Sequence, residues 1–236
     1  MGKSIKSNVC DVRTRIEEVA RKAGRETKDV SLLAATKNRT PKQVLEAIDA
    51  GVKVFGENRV QELLEKIELV GGEVDWHFIG HLQRNKVNSV VGAVSLVHSV
   101  DTFRLAREID RRAGQIGKNQ AILLQVNIAG EESKFGAASS EVARLVDEIN
   151  ELKNIEIRGL STIAPIVDNP EKVRWVFREL RELGKELEHA NEDLTRSELS
   201  MGMTGDFEVA VEEGSTIVRL GTAIFDVDYS PRQRTV

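Results

Sequence analysis

The sequence is poor in the residues that mark several classes of protein. It contains one cysteine, Cys10, which excludes an intrachain disulfide and fits the reducing cytoplasm, where we expect the protein to work. Aromatic residues make up only 4% of the chain, which argues against a surface that stacks on single-stranded nucleic acid. The four histidines are scattered and lack the spacing of metal ligands, so no metal site is predicted.

Long apolar runs are also missing. No segment approaches the length of a membrane-spanning helix, and the first 24 residues are charged throughout, unlike a secretory signal. The formal net charge is -4, which provides no general attraction for nucleic acid or for an anionic membrane. We therefore expect neither as a partner, and any bound anion must be held by a local site.

Short apolar segments rich in β-branched residues recur eight times, and each is typical of a buried strand in a parallel sheet. They cover residues 30–36, 52–56, 76–80, 95–99, 121–127, 155–160, 198–201 and 216–220. Amphipathic segments of helical periodicity separate them. Thr40 and either Asp101 or Thr102 are predicted helix caps, and Pro170 is predicted to open a long helix. A further helix is predicted at about residues 5–24.

Alternating strands and helices indicate parallel strands joined by crossover helices. Eight such units in one chain favour a closed (β/α)8 barrel over an open doubly wound sheet. No linker or low-complexity tract divides the chain, so we predict one domain over residues 1–236 with an extra N-terminal helix. In such a barrel, functional groups collect at the carboxyl ends of the strands and in the loops that follow them.

Polar residues follow the predicted strands at that end. The candidates are Lys37, Asn58, His81, Ser99, Asn127, Thr162, Ser200, Met201, Arg219, Gly221 and Thr222. An ammonium group at the rim of an apolar barrel is partly desolvated, which favours Lys37 as a nucleophile toward aldehydes. The commoner fate of a rim lysine is to extend into solvent. His77 also lies in the third predicted strand, and we expect one of His77 and His81 to face the mouth and the other to pack outside.

Two late loops have the composition of a phosphate site. Residues 200–206 and 219–222 both combine glycine with a hydroxyl residue, and (β/α)8 barrels often bind phosphate after strands seven and eight. Either loop by itself could equally consist of ordinary turn and capping residues, but both together, after strands seven and eight, favour a phosphate site. A reactive lysine facing a phosphate site suits a phosphorylated carbonyl compound. Pyridoxal 5′-phosphate (PLP) and the sugar-phosphate substrate of a Schiff-base aldolase both meet this description.

Several motifs together resemble the PLP homeostasis protein family over about residues 30–225. They are LAATK at 33–37, FGENRVQE at 55–62, WHFIGHLQRNK at 76–86, VN at 126–127 with KFG at 134–136, LSMGMTGD at 199–206 and VRLGTAIF at 218–225. The resemblance implies a barrel like that of alanine racemase, with PLP held on Lys37 as a Schiff base. It further implies that Ser200, the Met201 backbone, Gly221 and Thr222 hold the phosphate.

The resemblance also implies that Arg219 lies near the pyridine nitrogen, where an arginine makes the ring a weaker electron sink than a carboxylate would. Asn58, His81, Ser99, Asn127 and Thr162 would line the pocket. Family members often carry methionine after the Gly-Leu pair at 159–160, where this chain has Ser161.

Two functions follow from this resemblance. The first is a cytoplasmic, monomeric carrier that buffers PLP and passes it to apo PLP-dependent enzymes, with no catalytic residues of its own. The alternative is a PLP-dependent amino-acid racemase-like enzyme, which needs an acid/base group on each face of the substrate. In alanine racemase, a tyrosine from a partner subunit's second domain supplies one of them. This chain has one tyrosine, Tyr229, near its end, which favours the carrier.

Overall fold

A computed structural model describes residues 4–71, 74–131, 134–190 and 197–229. Its eight strands are parallel and pair in chain order, and the last pairs with the first, so the sheet closes into a barrel. The strands are β1 Ser31–Ala35, β2 Val54–Glu57, β3 Asp75–Phe78, β4 Leu96–Val100, β5 Gln120–Gln125, β6 Ile155–Ser161, β7 Glu198–Ser200 and β8 Ile217–Leu220. The predicted (β/α)8 barrel is confirmed, and all eight predicted strands are present.

Helices follow the strands and surround the barrel. They are α1 Ile5–Lys22, α2 Pro41–Asp49, α3 Val60–Val70, α4 Val87–Val90, α5 Phe103–Gln115, α6 Val142–Asn150, α7 Arg174–Ala190, α8 Phe207–Glu212 and α9 Thr222–Phe225. Thr40 caps α2 in a reciprocal capping box with Gln43, and Thr102 caps α5, as predicted. Pro170 instead opens a single 3₁₀ turn, Pro170–Val173, before α7 begins at Arg174.

Alternate strand positions face two different environments. The outward side chains pack against the helices in one continuous core, where Phe55, Phe78 and Phe177 are fully buried. The apolar cluster of alternate strand residues inside the barrel is small and consists of Leu33, Leu96, Ala121, Leu123 and Ile217. Polar side chains also occupy the interior. His98 of β4 bonds across the barrel to Ser200 of β7, a strand that is not its neighbour.

The N-terminal helix α1 is confirmed and packs against α2, α8 and α9. The side-chain amide of Asn8 is buried and donates to the carbonyl oxygens of Ile224 and Asp226, at distances of 3.1 and 3.0 Å. These carbonyls belong to the end of α9 and the residue after it, so one amide satisfies groups that the short helix leaves open. Within the ranges the structure describes, no helix has the length and apolarity needed to cross a membrane.

Gly80 allows the end of β3 to pass the loop after β2 at close range. A Cβ at this position would lie 2.1 Å from the Asn58 carbonyl oxygen, which is backbone and cannot swing aside. We predict that Gly80→Ala lowers the free energy of unfolding by about 2 kcal/mol or more, because the two segments must separate.

Urea denaturation followed by circular dichroism measures this change. Gly184→Ala in α7 is the matched control, because its Cβ would meet the movable end of Leu199 at 3.1 Å and Ser197 at the ordinary contact distance of 3.5 Å. Equal stability losses in both variants would contradict the close-approach explanation.

Candidate functional site

The carboxyl ends of the strands surround an open cavity of about 270 Å³, called the mouth cavity below. It is lined by Ala35, Pro165, Ile166, Val167, Met203, Thr204, Gly205, Asp206, Arg219, Gly221 and Thr222. The wall therefore combines the end of β1 with the loops that follow β6, β7 and β8. Of the candidates from the sequence, Arg219, Gly221 and Thr222 meet here.

Arg219 is the cation in the lining of the mouth cavity, where Asp206 is the other charged residue. Its Nη1 donates to the Ser200 carbonyl oxygen at 2.7 Å and to Ser200 Oγ at 2.5 Å, while Nη2 donates to the Thr162 carbonyl oxygen at 2.8 Å. Burial lowers the pKa of Arg219 to about 10, against the opposing effect of nearby Asp206. The guanidinium is therefore a fixed cation at neutral pH, held in one plane by the ends of β6 and β7.

The two loops that resemble a phosphate site face each other across this cavity. Thr204 Oγ1 accepts from the Ala223 N–H at 3.3 Å, which ties the loop after β7 to the first turn of α9. The Met203 N–H donates to Asp206 Oδ1 at 2.6 Å. Gly202 has φ +92°, and a Cβ there would meet Ala210 at 2.6 Å. Hydroxyls and glycine backbone thus lie together around one opening, as anion binding requires.

Lys37 lies at the rim of the same mouth, two residues after Ala35. Ala35 lines the mouth cavity, and a Cβ on Gly221 would lie 3.3 Å from its carbonyl oxygen, so β1 and the loop after β8 are in close contact. Lys37 itself is exposed, so the partial burial expected for it is not found. The reason is that β1 ends at Ala35 and the chain turns at once, with Asn38 at φ +59°.

A buried ion pair holds this turn from below. Lys66 of α3 is 3% exposed, and its Nζ donates to Glu57 Oε1 at 2.5 Å and to the Thr36 carbonyl oxygen at 2.7 Å. The same Nζ reaches Glu62 Oε2 at 3.0 Å, and that oxygen also accepts from the Asn38 N–H. Both neighbours of Lys37 in the chain are thereby anchored to one network.

Asn58 and His81 are near each other but outside the mouth cavity. They line a second opening with Arg59, Val60, Gln61, Phe78, Gln83 and Lys86. The His81 ring stacks on Phe135 of the loop after β5, with centroids 3.7 Å apart. Asn127 supports the same loop, because its Nδ2 donates to the carbonyl oxygens of Glu131 and Lys134. These three residues shape the β2–β5 side of the mouth.

Ser99 and Thr162 are buried at the upper ends of their strands. Thr162 Oγ1 donates to the Val126 carbonyl oxygen at 2.8 Å, so its hydroxyl joins β6 to β5. Ser99 is 1% exposed, and its hydroxyl has no hydrogen-bond partner among the described residues. An unpaired buried hydroxyl is costly, and it leaves bonding capacity for a ligand at this level of the barrel.

Ser200 and Met201 lie in the barrel wall beneath the mouth cavity. Ser200 Oγ is bonded to His98 and Arg219, and the Met201 N–H donates to the Ile217 carbonyl oxygen at 3.2 Å. Their polar atoms are therefore engaged within the barrel. Ser161, the departure noted in the sequence, is also internal, because its hydroxyl donates to the His98 carbonyl oxygen at 2.5 Å.

His77 is inside the barrel rather than outside it or at the mouth. Its Nδ1 lies 2.9 Å from His98 Nε2, and it also borders a cavity at the opposite, amino-terminal end of the barrel. His81 is four residues further on, beyond the end of β3, so the strand alternation that separates faces does not relate the two rings. The described residues contain no cluster of three or more histidine, cysteine or acidic side chains suited to a metal.

Sequence reasoning missed several members of the site. Thr204 and Gly205 belong to the predicted phosphate-type segment 200–206 but were not named as candidate residues, and both line the mouth cavity. The Glu57–Lys66 ion pair was not predicted. Glu57 ends β2 and Lys66 lies nine residues later in α3, the helix that follows that strand, so the two belong to one β-to-α unit. Charged residues in an amphipathic helix are usually solvated, and this pattern conceals a buried lysine.

Comparison with known proteins agrees with this architecture. The family model for the alanine racemase N-terminal domain matches residues 8–228. An alanine racemase from Clostridium difficile 630 superposes with a TM-score of 0.73 at 14% identity, over 97% of this chain and 58% of that one. The likeness at this identity concerns the fold. The molecule is thus a barrel of the alanine racemase N-terminal type, and the alignment covers 58% of the racemase chain.

Closer relatives narrow the family. The pyridoxal phosphate homeostasis protein of Aquifex aeolicus is 45% identical over 223 residues, covering 92% of this chain and 97% of that protein. The Escherichia coli protein of the same name is 38% identical, covering 97% and 99%. A solved structure of PipY from Synechococcus elongatus with PLP bound has a TM-score of 0.79 at 34% identity, over 89% of this chain and 99% of PipY. The chain belongs to the family of pyridoxal phosphate homeostasis proteins.

The buried Lys66 makes a prediction about the turn that carries Lys37. We expect Lys66→Met to lower the free energy of unfolding by about 3–5 kcal/mol, because the Glu57 carboxylate would lose its cation while staying fully buried. Urea denaturation measures the loss.

The double variant Glu57→Gln with Lys66→Met is the matched control. It removes both charges, so most of the lost stability should return. A double variant as unstable as Lys66→Met alone would show that the network acts through packing rather than through charge compensation.

Proposed function

We propose that this protein binds PLP at the mouth cavity, with Lys37 as the residue that holds it covalently, and that it serves intracellular PLP homeostasis. The observation that carries the proposal is the arrangement of the mouth. A lysine stands at one rim, and hydroxyl and glycine loops stand around the adjoining opening, in a chain 34% identical to a protein solved with PLP bound. When bound, PLP supplies an aldehyde that reacts reversibly with amines.

The covalent step needs only the groups named. The unprotonated Nζ of Lys37 attacks the aldehyde carbon, a C=N bond replaces the C=O bond, and the aldehyde oxygen leaves as water. The exposure of Lys37 suits a reversible attachment, because water reaches the bond that must be hydrolysed for release. The anchored neighbours of Lys37 keep its backbone at the rim while the side chain stays free to reach the opening.

The phosphate contacts fall to the loops after β7 and β8. Gly221 and Thr222 line the mouth cavity as the sequence suggested, and Thr204 and Gly205 are better placed than Ser200 and Met201, whose polar atoms are engaged below. Arg219, whose guanidinium is held by Ser200 and the Thr162 carbonyl oxygen, is proposed to lie near the pyridine nitrogen. The unpartnered hydroxyl of Ser99, with Asn58, His81, Asn127 and Thr162 on the β2–β6 side, completes the proposed pocket.

A carrier fits these residues better than a racemase. Tyr229, the one tyrosine of the chain, has its hydroxyl 3.5 Å from the Thr204 carbonyl oxygen, so it contacts the loop after β7. A second acid/base group opposite Lys37 is therefore not supplied by the residue type that racemases use. We propose a monomeric, cytoplasmic, single-domain protein that hands PLP to apo PLP-dependent enzymes.

Lys37→Ala should abolish covalent PLP uptake. Wild-type protein mixed with PLP should turn yellow, and borohydride should fix one pyridoxyl group on Lys37, found by peptide mass analysis. Lys42→Ala is the matched control, since Lys42 is exposed on the neighbouring helix and should leave labelling unchanged. The proposal would be overturned if the wild-type protein took up no PLP. It would also be overturned if the Lys37→Ala variant were labelled as well as the wild type.

The loaded protein should not racemise amino acids. Incubation with L-alanine, followed by chiral chromatography, should give no D-alanine above a control that contains free PLP alone. Racemisation that disappears in Lys37→Ala would instead establish the enzyme, and the carrier assignment would be wrong.

A further inference from the structure

A chain of polar side chains runs through the barrel from its amino-terminal end to the mouth. Asp75 Oδ2 lies 3.4 Å from His77 Nε2, and His77 Nδ1 lies 2.9 Å from His98 Nε2. His98 Nδ1 lies 2.9 Å from Ser200 Oγ, which accepts from Arg219 Nη1 at 2.5 Å. The proposed phosphate and aldehyde contacts use none of the first three residues.

The two ends of this chain have fixed hydrogen-bonding roles. A guanidinium can only donate, and an ionised carboxylate can only accept. The hydrogen bond from His77 outweighs partial burial and lowers the pKa of Asp75, so Asp75 is a carboxylate at neutral pH. Ser95 also donates its hydroxyl to Asp75. Asp75 borders a cavity of about 240 Å³ at the amino-terminal end, which gives the carboxylate contact with solvent.

Neutral imidazoles then leave one arrangement of the protons between these ends. In this arrangement the proton of His77 is on Nε2, the nitrogen that lies 3.4 Å from Asp75 Oδ2, so its bare Nδ1 accepts from His98 Nε2–H. The bare Nδ1 of His98 accepts from the Ser200 hydroxyl, whose lone pair remains for Arg219. Burial keeps the pKa of His98 well below its usual range, with smaller contributions from His77 and Arg219, which supports its neutral form.

We infer that Asp75, His77 and His98 are positioning residues that orient the Ser200 hydroxyl and, through it, the Arg219 guanidinium beneath the bound cofactor. The inference rests on the proposed function for its second half only. Ser200 presents its oxygen to Arg219 because its hydrogen is committed to His98. Without the hydrogen bond to His98, the Ser200 hydroxyl is free to rotate, and the Arg219 guanidinium loses one of the three bonds that fix its plane at the mouth.

The proton arrangement is testable without any cofactor. Long-range ¹⁵N–¹H correlation of the imidazoles in the PLP-free protein at pH 7.5 should show His77 and His98 both protonated at Nε2 and bare at Nδ1. Each of the four histidines can be assigned from its single Gln variant. Protonation of His98 at Nδ1, or rapid exchange between the two forms, would overturn the inference whatever PLP does.

The effect on the mouth is tested in the PLP-loaded protein. His98→Leu should weaken PLP binding about tenfold or more and shift the absorption maximum of the bound cofactor, because Arg219 is no longer held in one orientation. His98→Gln carries both an acceptor and a donor, so it should recover most of the affinity and the spectrum. His189→Leu is the matched control, since His189 is an exposed imidazole bonded to the Lys185 carbonyl oxygen of its own helix.

Circular dichroism of each variant separates local effects from unfolding. If His98→Leu is folded and binds PLP with wild-type affinity and spectrum, the inference is wrong. If His98→Leu does not fold, the comparison of His98→Gln with wild type decides, and a Gln variant with the spectrum of free PLP overturns the inference. Wild-type protein that binds no PLP would sink the proposed function, while the imidazole measurement would still decide the proton arrangement.

Discussion

Closure of the sheet is the constraint on which the molecule depends. Once β8 pairs with β1, all eight carboxyl ends meet at one rim, and the loops after β1, β7 and β8 become neighbours although they are far apart in sequence. The contact between Gly221 and the Ala35 carbonyl is a direct result, and it brings the turn with Lys37 next to the hydroxyl and glycine loops. The site is therefore a property of the closed barrel rather than of any one segment.

Two buried cations make this rim rigid. Lys66 supports the turn of Lys37 from outside the barrel, and Arg219 ties the ends of β6 and β7 together from inside. Each is compensated differently, Lys66 by carboxylates and Arg219 by carbonyl and hydroxyl oxygens. Burial of charge without such partners would cost several kcal/mol, so these bonds must form for the barrel to be stable. Cations held in this way are oriented before any ligand arrives, which lowers the cost of ordering on binding.

The strands and the rim loops could be predicted from the sequence because both depend on local composition. Eight apolar runs separated by amphipathic segments define the barrel, and the barrel defines which loops share the mouth. The exposure of Lys37 could not be predicted, because it depends on where β1 ends and on the positive φ of Asn38. The engagement of Ser200 with His98 and Arg219 could not be predicted either, since it joins strands across the interior, and periodicity along a chain carries no information about such contacts.

The clasp between Asn8 and the end of α9 has a consequence for how the protein is made. The side chain of Asn8 bonds to residues 216 and 218 positions later in the chain, and β1 pairs with β8, so neither contact can form until those later residues are present. Contacts of such sequence separation form late, so a ribosome must release nearly the whole described chain before the ring can shut. A nascent chain therefore has no closed mouth until β8 and α9 have emerged, since the rim is complete only when β8 pairs with β1.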